Sequence, residues 1–306
     1  MSRAERQWVL ILFLTAVLAA TGCATRTPLA RAAPASAHQV KNAEFSPLDL
    51  QRIAQNCPFG LPKTNPKWTL GPTRYIARDG YVLQHSSLDK IPLWVCEHVT
   101  KEQLHGSATR SGKFAPDPLL AGQPRAELAD YRGSGYDRGH QAPAGDFNAD
   151  QRLKDETFYL SNMAPQVPAL NQQAWADLED RVRDCIESFG GGYIITGGFF
   201  YDAKEDDPQT ADGAIDYWVT GPHAVAVPTH FYKIVVVRDA GGSWQATAFV
   251  MENRAYHKPY HFDQYVKSVD WVEEHTGLDF MPDLDPLEEQ RLEGSPAALW
   301  PCIGND

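Results

Sequence analysis

The sequence predicts an α+β domain with a largely antiparallel sheet, because extended segments outnumber helical ones and succeed one another through tight turns. Two extended segments flank an Asp-Gly pair at positions 79–80, which is typical of hairpin loops. Two more flank Ala-Gly-Gly-Ser at 240–243. Hydrophobic residues make up 43% of the 306-residue chain, which is enough for a sizeable core.

Each expected element follows from a local residue pattern. The expected strands are a hairpin at residues 75–83 and the segments 92–99, 193–200, 224–237 and 244–251. Residues 100–135 are polar and rich in Gly and Pro, so they are expected to be mostly loop. Apolar residues recur at helical spacing over 171–189, and the glycines at 190–192 end that helix. A second helix is expected over 263–275, capped by Gly277.

The N-terminal region has the pattern of an export signal. Arg3 and Arg6 precede an apolar run that is too short to span a bilayer and ends in small residues before Cys23. We therefore expect a signal peptide at residues 1–22, with the bacterial lipoprotein type favoured over a plain signal. An Ala-, Pro- and Ser-rich flexible tether follows at 23–45.

The remaining chain, residues 46–306, is expected to form one domain outside the cytoplasm. A lipid on Cys23 would anchor it to the membrane of the cell envelope, whereas a plain signal would leave it periplasmic or secreted. Four further cysteines fit an oxidising compartment: Cys57, Cys96, Cys185 and Cys302. They allow two disulfides in three connectivities, and Cys185 is equally compatible with a buried free thiol.

The charge of the chain limits how it can bind nucleic acid. The formal net charge is -11, which excludes a protein coated in basic surface. Any function on nucleic acid must therefore depend on a local cationic site.

His140 is the first candidate for chemistry. It ends the segment Asp-Arg-Gly-His at 137–140, which Gln-Ala-Pro follows, so it lies on a shaped loop or a strand end. An imidazole with an ordinary pKa is largely neutral at neutral pH and can accept a proton. Arg138 could hold a phosphate oxygen. From these residues alone, a purely structural histidine remains open.

The helix expected at 171–189 carries polar residues at four-residue spacing. Asn171, Trp175, Glu179 and Arg183 fall along one side of it. An Asn oxygen can bind Mg²⁺, a carboxylate can orient the water ligands of that ion, and an arginine can hold phosphate. The alternatives are a helix cap, a core tryptophan and a surface ion pair, and they remain open at this point.

Four segments in order narrow these alternatives. Asp-Arg-Gly-His-Gln-Ala-Pro at 137–143, Ser-Asn-Met-Ala-Pro-Gln at 161–166, Leu-Asn-Gln-Gln-Ala-Trp at 170–175 and Leu-Glu at 178–179 resemble the DNA/RNA non-specific endonuclease family. This is the ββα-metal (His-Me finger) group that includes mitochondrial endonuclease G and secreted bacterial nucleases. Weaker similarity covers most of residues 57–280. The resemblance implies a ββα-metal fold with a largely antiparallel central sheet flanked by helices.

The resemblance also implies a reaction and its central residues. His140 matches the general base that deprotonates the attacking water, and Asn171 matches the direct protein ligand of Mg²⁺, for which Mn²⁺ could substitute. Glu179 matches the carboxylate that binds the water ligands of the metal. The implied substrates are DNA and RNA, cut internally with little sequence preference to give 5′-phosphate and 3′-hydroxyl ends.

The remaining site residues are implied in the same way. Arg138 and Arg183 match arginines that contact phosphate, and Asn162 matches an asparagine that supports the site. Arg110 is the best candidate for a further arginine that the family has upstream. Asp137 is expected to order the motif segment without transferring a proton.

Two other functions remain open on the sequence. One is a metallohydrolase of another class, although Cys96, His98 and His105 lack standard zinc spacing, and His257 and His261 lack a third ligand nearby. The other is a non-catalytic, nuclease-like lipoprotein that binds a partner. A homodimer is compatible with the sequence in every case.

Overall fold

The computed structural model describes residues 6–7, 45–65, 71–294 and 299–304. The expected signal peptide and tether therefore lie outside the described residues, apart from Arg6, Gln7 and Phe45. Within those described ranges, none of the helices combines the length and the apolar character that a membrane span requires.

The described elements alternate short strands with short helices. The strands are β1 (Arg6–Gln7), β2 (Lys63–Thr64), β3 (Thr73–Ala77), β4 (Val82–Ser86), β5 (Pro92–Thr100), β6 (Asp137–His140), β7 (Met163–Gln166), β8 (Gly191–Phe199), β9 (Tyr217–Thr220), β10 (Val225–Val227), β11 (His230–Arg238), β12 (Trp244–Glu252), β13 (Val266–Lys267) and β14 (Leu278–Asp279). The α-helices are α1 (Pro47–Asn56), α2 (Lys101–Leu104), α3 (Leu128–Tyr131), α4 (Gln151–Glu156), α5 (Trp175–Phe189), α6 (Val269–Thr276) and α7 (Pro286–Glu293).

The central sheet has seven strands in the part of the chain that the structure describes. Their spatial order is β13-β12-β11-β8-β5-β4-β3, and every neighbouring pair is antiparallel. The longest pairing joins β11 to β12, from His230 opposite Glu252 to Arg238 opposite Trp244. The prediction of an α+β fold with a largely antiparallel sheet is therefore confirmed.

Both faces of this sheet are covered by helices, and a different set of helices packs on each face. Side chains alternate along a strand, so Phe231 and Val235 of β11 face one way while Tyr232 and Val236 face the other. The first pair packs in a core cluster with α5, which we call the α5 face. The second pair packs in a cluster with α6 and α7, which we call the α6–α7 face.

Two expected elements differ from the structure. The strand expected over 224–237 is two strands, because Pro228 has no backbone N–H to donate at the break. Strand β10 then pairs with β9 in a separate sheet, whereas β11 pairs with β8 and β12. The glycines at 190–192 are divided, since Gly190 ends α5 in a left-handed conformation while the next two begin β8.

The helix expected over 263–275 is shorter and begins later. Its N-cap is Ser268, whose side chain accepts a hydrogen bond from the backbone N–H of Trp271. The preceding Phe262–Tyr265 form a 3₁₀ turn, and β13 pairs with β12. The expected cap at Gly277 is confirmed, with a left-handed φ of 69°.

Helix α1 was not expected, although its beginning has a clear signature. Ser46 and Asp49 form a reciprocal capping box, and Pro47 occupies the first helical turn. Arg52 then bonds Asp79 at 2.6 Å, which fastens the helix to the β3–β4 turn.

One of the two possible disulfides is present. Cys185 of α5 is bonded to Cys302, 117 residues later, so the alternative of a free thiol at Cys185 was wrong. Cys57 and Cys96 are buried thiols in the α6–α7 face cluster, and the expectation of a second disulfide is not met among the described residues. Burial raises the pKa of the Cys57 thiol, and the adjacent Cys96 raises it further.

Candidate active site

The motif segments fold into one local unit of two strands and a helix. Strand β6 pairs antiparallel with β7, so that Gly139 lies opposite Ala164 and His140 opposite Met163. A side chain at Gly139 would collide with the Gln166 side chain and come within 3.1 Å of the Ala164 carbonyl oxygen. The glycine therefore lets the two strands approach closely.

His140 lies buried between two aromatic rings. Its side chain is in edge contact with Phe158 at 5.0 Å between ring centroids and tilted against Phe114 at 5.6 Å. Burial, together with the charges of Arg110 and Arg138, lowers the pKa of His140 to about 3. Within the described chain, its buried Nε2 makes no hydrogen bond. The imidazole is thus neutral, with a ring nitrogen able to accept a proton.

Arg138 and Arg110 approach the histidine from two sides. The Arg138 guanidinium stacks over Phe114 at 4.3 Å, and that of Arg110 lies 5.4 Å from the Phe158 ring centre. These are the same two rings that hold the imidazole. The aromatic pair therefore positions two cations and one neutral base around a common point.

Asn171 begins the helix on a widened turn. Residues Leu170–Ala174 form a π-helical turn, in which the backbone N–H of Trp175 bonds the carbonyl of Leu170. The Asn171 Nδ2 donates to Asp137 Oδ2 at 2.9 Å, and Gln172 Nε2 donates to the same oxygen at 2.7 Å. Asp137 thereby orients the Asn171 amide and leaves Oδ1 as the atom that could bind a cation.

The segment from Asp137 to Asp146 is bound to the helical stretch at both ends. Asp137 bonds Asn171 at its beginning, and Asp146 bonds Arg183 at 2.8 Å three turns further on. Gly145 permits this second contact, since a side chain there would lie 2.8 Å from Arg183 Nη1. His140 lies between these two attachments, so its position relative to the helix is fixed from both sides.

Glu179 of α5 interacts with two basic side chains, Lys233 and Arg183. Burial raises its pKa to about 7, while Lys233 and Arg183 act in the opposite direction. Lys233 is only 1% exposed, donates to Thr196 Oγ1 at 2.8 Å and lies 5.4 Å from the Trp175 ring centre. Lys233 therefore balances the negative charge of Glu179 from within the core, and because it is buried it is not available to bind a phosphate.

Glu97 is a second buried carboxylate in this group, and the sequence interpretation missed it. It is 1% exposed on β5, and its Oε2 has no hydrogen-bond partner in the part of the chain that is described. Burial raises its pKa, Asp146 and Glu179 raise it further, and Lys233 lowers it. Its signal in the sequence was a single charged residue inside the apolar run of β5.

Asn162 is fully buried, and its side chain forms hydrogen bonds with backbone groups of other residues. Its Oδ1 accepts from the Ala142 N–H at 2.9 Å, while its Nδ2 donates to the carbonyls of Ala142 and Thr157, each at 2.9 Å. These bonds hold the chain that follows His140. Asn162 is thus a positioning residue.

The structure assembles most of the residues that the sequence singled out. Along the helix, Trp175 belongs to the apolar core. Asn171, Glu179 and Arg183 instead interact with charged side chains, which are Asp137, Lys233 and Asp146 respectively. The guanidinium of Arg183 is shared between Asp146 and Asp180. Sequence interpretation missed four contributors: Glu97, Phe114, Asp146 and Phe158.

The expected zinc alternatives do not assemble. In the described residues, the set of His, Cys, Asp and Glu side chains close enough to share one metal ion consists of Asp270, Glu273 and Glu293, without a histidine or cysteine. Zinc sites use nitrogen and sulfur ligands above all, so the described chain gives a zinc hydrolase no support.

Comparison with known proteins identifies relatives of this chain. Residues 65–287 match the DNA/RNA non-specific endonuclease family. Over 227 residues the chain is 37% identical to mitochondrial endonuclease G of Homo sapiens, covering 74% of this chain and 73% of that protein. It is 37% identical to nuclease C1 of Cunninghamella echinulata var. echinulata, covering 69% and 84% respectively. The crystal structure of an EndoG/EndoGI complex matches with a TM-score of 0.69 at 32% identity, covering 81% of this chain and 98% of that chain.

Proposed function

The chain belongs to the DNA/RNA non-specific endonuclease family and is a nuclease, and we propose that it is a Mg²⁺-dependent enzyme that cuts both DNA and RNA internally. The observation that carries this proposal is His140, a neutral imidazole in contact with Phe114 and Phe158, whose pKa the charges of Arg110 and Arg138 help to lower. Phosphodiester hydrolysis requires a base for the attacking water and positive charge for the phosphate oxygens. His140, Arg110 and Arg138 can supply them, and all three contact the same aromatic pair.

The residues beside β6 fit a hard divalent cation. Asp137 orients the Asn171 amide so that its Oδ1 is the atom left for a ligand bond, and Mg²⁺ prefers such oxygens. The raised pKa of Glu179 fits as well, since a nearby cation would favour its charged form. We therefore assign the Mg²⁺ ligand to Asn171, with Glu179 accepting hydrogen bonds from water ligands of the ion. Mn²⁺ has the same ligand preference and could substitute.

The proposed mechanism divides the work among the chain's own residues. The imidazole of His140 accepts a proton from the attacking water as the water oxygen bonds to phosphorus. Arg138 and Arg110 hold the phosphate oxygens and stabilise their growing negative charge. Bound Mg²⁺ would supply further charge neutralisation. The P–O3′ bond breaks, and O3′ leaves with a proton from solvent, which gives a 5′-phosphate and a 3′-hydroxyl.

The other site residues support these steps. Asn162 fixes the chain that follows His140, and Asp137 fixes the metal-binding amide. Arg183 is proposed as a third phosphate cation. Because Arg183 already bonds Asp146 and Asp180, the substrate would have to displace its Asp180 contact at the surface.

The assay uses the purified protein with plasmid DNA and with structured RNA, in Mg²⁺, in Mn²⁺ and in EDTA. We expect metal-dependent loss of both polymers. His140→Ala should lower the rate by about 10²–10⁴-fold, which is typical for a lost general base, and Asn171→Ala should also lower it strongly. Two matched controls should retain activity. His257→Ala changes an exposed histidine and matches His140→Ala, whereas Gln173→Ala changes an exposed amide in the same turn as Asn171 and matches Asn171→Ala.

Two outcomes would contradict the proposal. If the wild-type protein leaves both polymers intact in Mg²⁺ and Mn²⁺, the nuclease assignment fails for this chain. If activity survives EDTA but is lost in a zinc-selective chelator, the metal assignment fails.

We also propose that the protein is exported and anchored through a lipid on Cys23. The Cys185–Cys302 disulfide supports an oxidising compartment, where such bonds persist. Radioactive palmitate should label the wild-type chain and leave Cys23→Ser unlabelled. If that variant is labelled equally, the lipid is not on Cys23, and a periplasmic or secreted protein becomes the favoured form.

A further inference from the structure

A second group of carboxylates lies on the α6–α7 face of the sheet. Asp270 and Glu273 are one turn apart on α6, and Glu293 is the last residue of α7. One carboxylate oxygen from each lies within 4.8 Å of the other two. We call these three residues the acidic cluster. The catalytic helix packs against the opposite face of the sheet.

Glu293 is the unusual member of the acidic cluster because it is buried. It is only 2% exposed, and its buried Oε1 has no hydrogen-bond partner among the described residues. Glu273, in contrast, accepts a hydrogen bond from the Phe280 N–H at 2.7 Å. A buried carboxylate without a partner is costly, so it needs either a proton or a cation.

The surroundings add negative charge to the acidic cluster. Asp279 and Glu289 both act on Glu273 and Glu293, and the Asp279 Oδ1 is itself buried without a hydrogen bond in the described chain. Burial and these neighbours raise the pKa of Glu293 to about 9 and that of Glu273 to about 8. Lys63 lowers the pKa of Asp279 and pairs with Asp283 at 3.6 Å, and neither of these residues belongs to the acidic cluster.

The acidic cluster lies where the end of α7 meets α6, so a bound cation would connect the two helices. Glu293 and Gly294 end α7, and a side chain at Gly294 would lie 3.6 Å from Asp270 Oδ2. Val272 of α6 and Leu292 of α7 pack in the same core cluster beneath it. An ion bound by all three carboxylates would therefore link the end of α7 to α6 across this packed contact.

We propose that Asp270, Glu273 and Glu293 bind a Ca²⁺ ion that fastens α7 to α6. All three donors are oxygens. Hard cations such as Ca²⁺ prefer oxygen ligands, whereas zinc and copper favour nitrogen and sulfur. Oxygens within 4.8 Å of one another fit around one ion at the roughly 2.3–2.6 Å typical of Ca²⁺. Asp270 is exposed, so water can complete the coordination from the solvent side.

The test measures Ca²⁺ binding by calorimetry to the full chain in mild detergent, at about 0.15 M KCl to screen the general attraction of an acidic protein. All proteins carry Asn171→Ala, which removes the proposed catalytic ligand. We expect one Ca²⁺ per chain, tighter binding of Ca²⁺ than of Mg²⁺, and a melting temperature that rises with added CaCl₂. The added Glu293→Gln or Glu273→Gln should weaken Ca²⁺ binding at least about tenfold.

Glu274→Gln is the matched control, since Glu274 neighbours Glu273 on α6 but is exposed and outside the acidic cluster. It should leave the Ca²⁺ affinity unchanged. Asp270→Asn is exposed and tests the same site if a buried variant fails to fold. Unchanged affinity in Asp270→Asn and in the folded Gln variants would overturn the proposal, as would an equal loss in Glu274→Gln. Tighter binding of Mg²⁺ would overturn the choice of ion.

Discussion

The two faces of the central sheet both bury carboxylates, but they balance the charge differently. On the α5 face, Glu97 and Glu179 lie within the influence of Lys233 and Arg183. On the α6–α7 face, the acidic cluster has further carboxylates as neighbours, and Lys63 acts only at its edge. The first face carries its own permanent cations, whereas the second depends on protons or on an ion from solution.

This contrast fits the positions of the two faces relative to catalysis. A base and a metal ligand must be in place before substrate arrives, because movement during the reaction raises the barrier. The α5 face meets that need with covalent and ionic contacts that form as the chain folds. The α6–α7 face holds no proposed catalytic residue, so its stability can vary with the calcium concentration without altering the site.

Reducing the disulfide should have the largest effect on stability. It closes a ring over 117 residues of sequence separation, and its loss should lower the free energy of unfolding by about 4 kcal/mol. Urea unfolding with and without dithiothreitol measures this loss, and Cys185→Ala/Cys302→Ala should not respond to the reductant. If removing Ca²⁺ with a chelator costs more than reducing the disulfide, the α6–α7 face is the more tightly fastened one.

Lys233→Met should be next in size. It leaves Glu97 and Glu179 without their central cation, and breaking such buried charge balance costs about 3 kcal/mol. Glu97→Gln in the same chain should recover part of the loss, since one buried charge is then removed. The control Lys258→Met removes an exposed lysine that lies 4.0 Å from Asp177 and 5.5 Å from the Tyr260 ring centre, and it should cost less than about 1 kcal/mol. An equal cost in both lysine variants would mean that the α5 face is not balanced by Lys233.

Acid should destabilise the protein partly through His140. Its pKa is about 3 in the folded protein and about 6.5 when unfolded, so the unfolded chain binds the extra proton first as the pH falls. Stability due to the neutral imidazole is complete above about pH 6.5 and is lost progressively towards pH 3. Between about pH 7 and pH 4.5, wild type should therefore lose about 2 kcal/mol more than His140→Gln in urea unfolding.

The same comparison has a clear contrary result. His85, whose pKa burial lowers to about 4, is present in both proteins and contributes equally to each curve. Parallel losses in wild type and His140→Gln would mean that His140 is solvated and charges normally.

Ser268→Ala should have the smallest effect. Its side chain caps α6 just before the acidic cluster, and losing such a cap costs about 1 kcal/mol. Ser268→Asn should cost nothing measurable, because asparagine caps helices equally well. If Ser268→Ala is as stable as wild type by urea unfolding, α6 does not begin at this residue, and the longer helix expected from residue 263 is restored.

The catalytic unit was predictable because its information is local. The Asp-Arg-Gly-His segment, the Ser-Asn-Met-Ala-Pro-Gln segment at 161–166 and the helix carrying Asn171 follow one another within about fifty residues, and their order and spacing indicate the family. The hairpin around Asp79 and Gly80 was predictable for the same reason. Patterns that are complete within a short stretch need no knowledge of the remaining chain.

Features that depend on distant partners were not predictable. Lys233 and Glu97 meet because β5, β8 and β11 are neighbours, and nothing in either strand alone reveals that register. Cys185 had three possible partners, and only the fold selects Cys302. The helix expected over 263–275 failed because its first residues are amphipathic in either conformation, and the pairing of β13 with β12 decides between them.

The disulfide also relates the catalytic helix to the order in which the chain is synthesised. Cys185 is made 117 residues before its partner, so this bond cannot close until Cys302 has been synthesised. A chain truncated before Cys302 would contain every proposed catalytic residue but could not close this bond. Closure of the disulfide therefore follows the synthesis of every proposed catalytic residue, so an oxidised Cys185 identifies a chain that has been synthesised through Cys302.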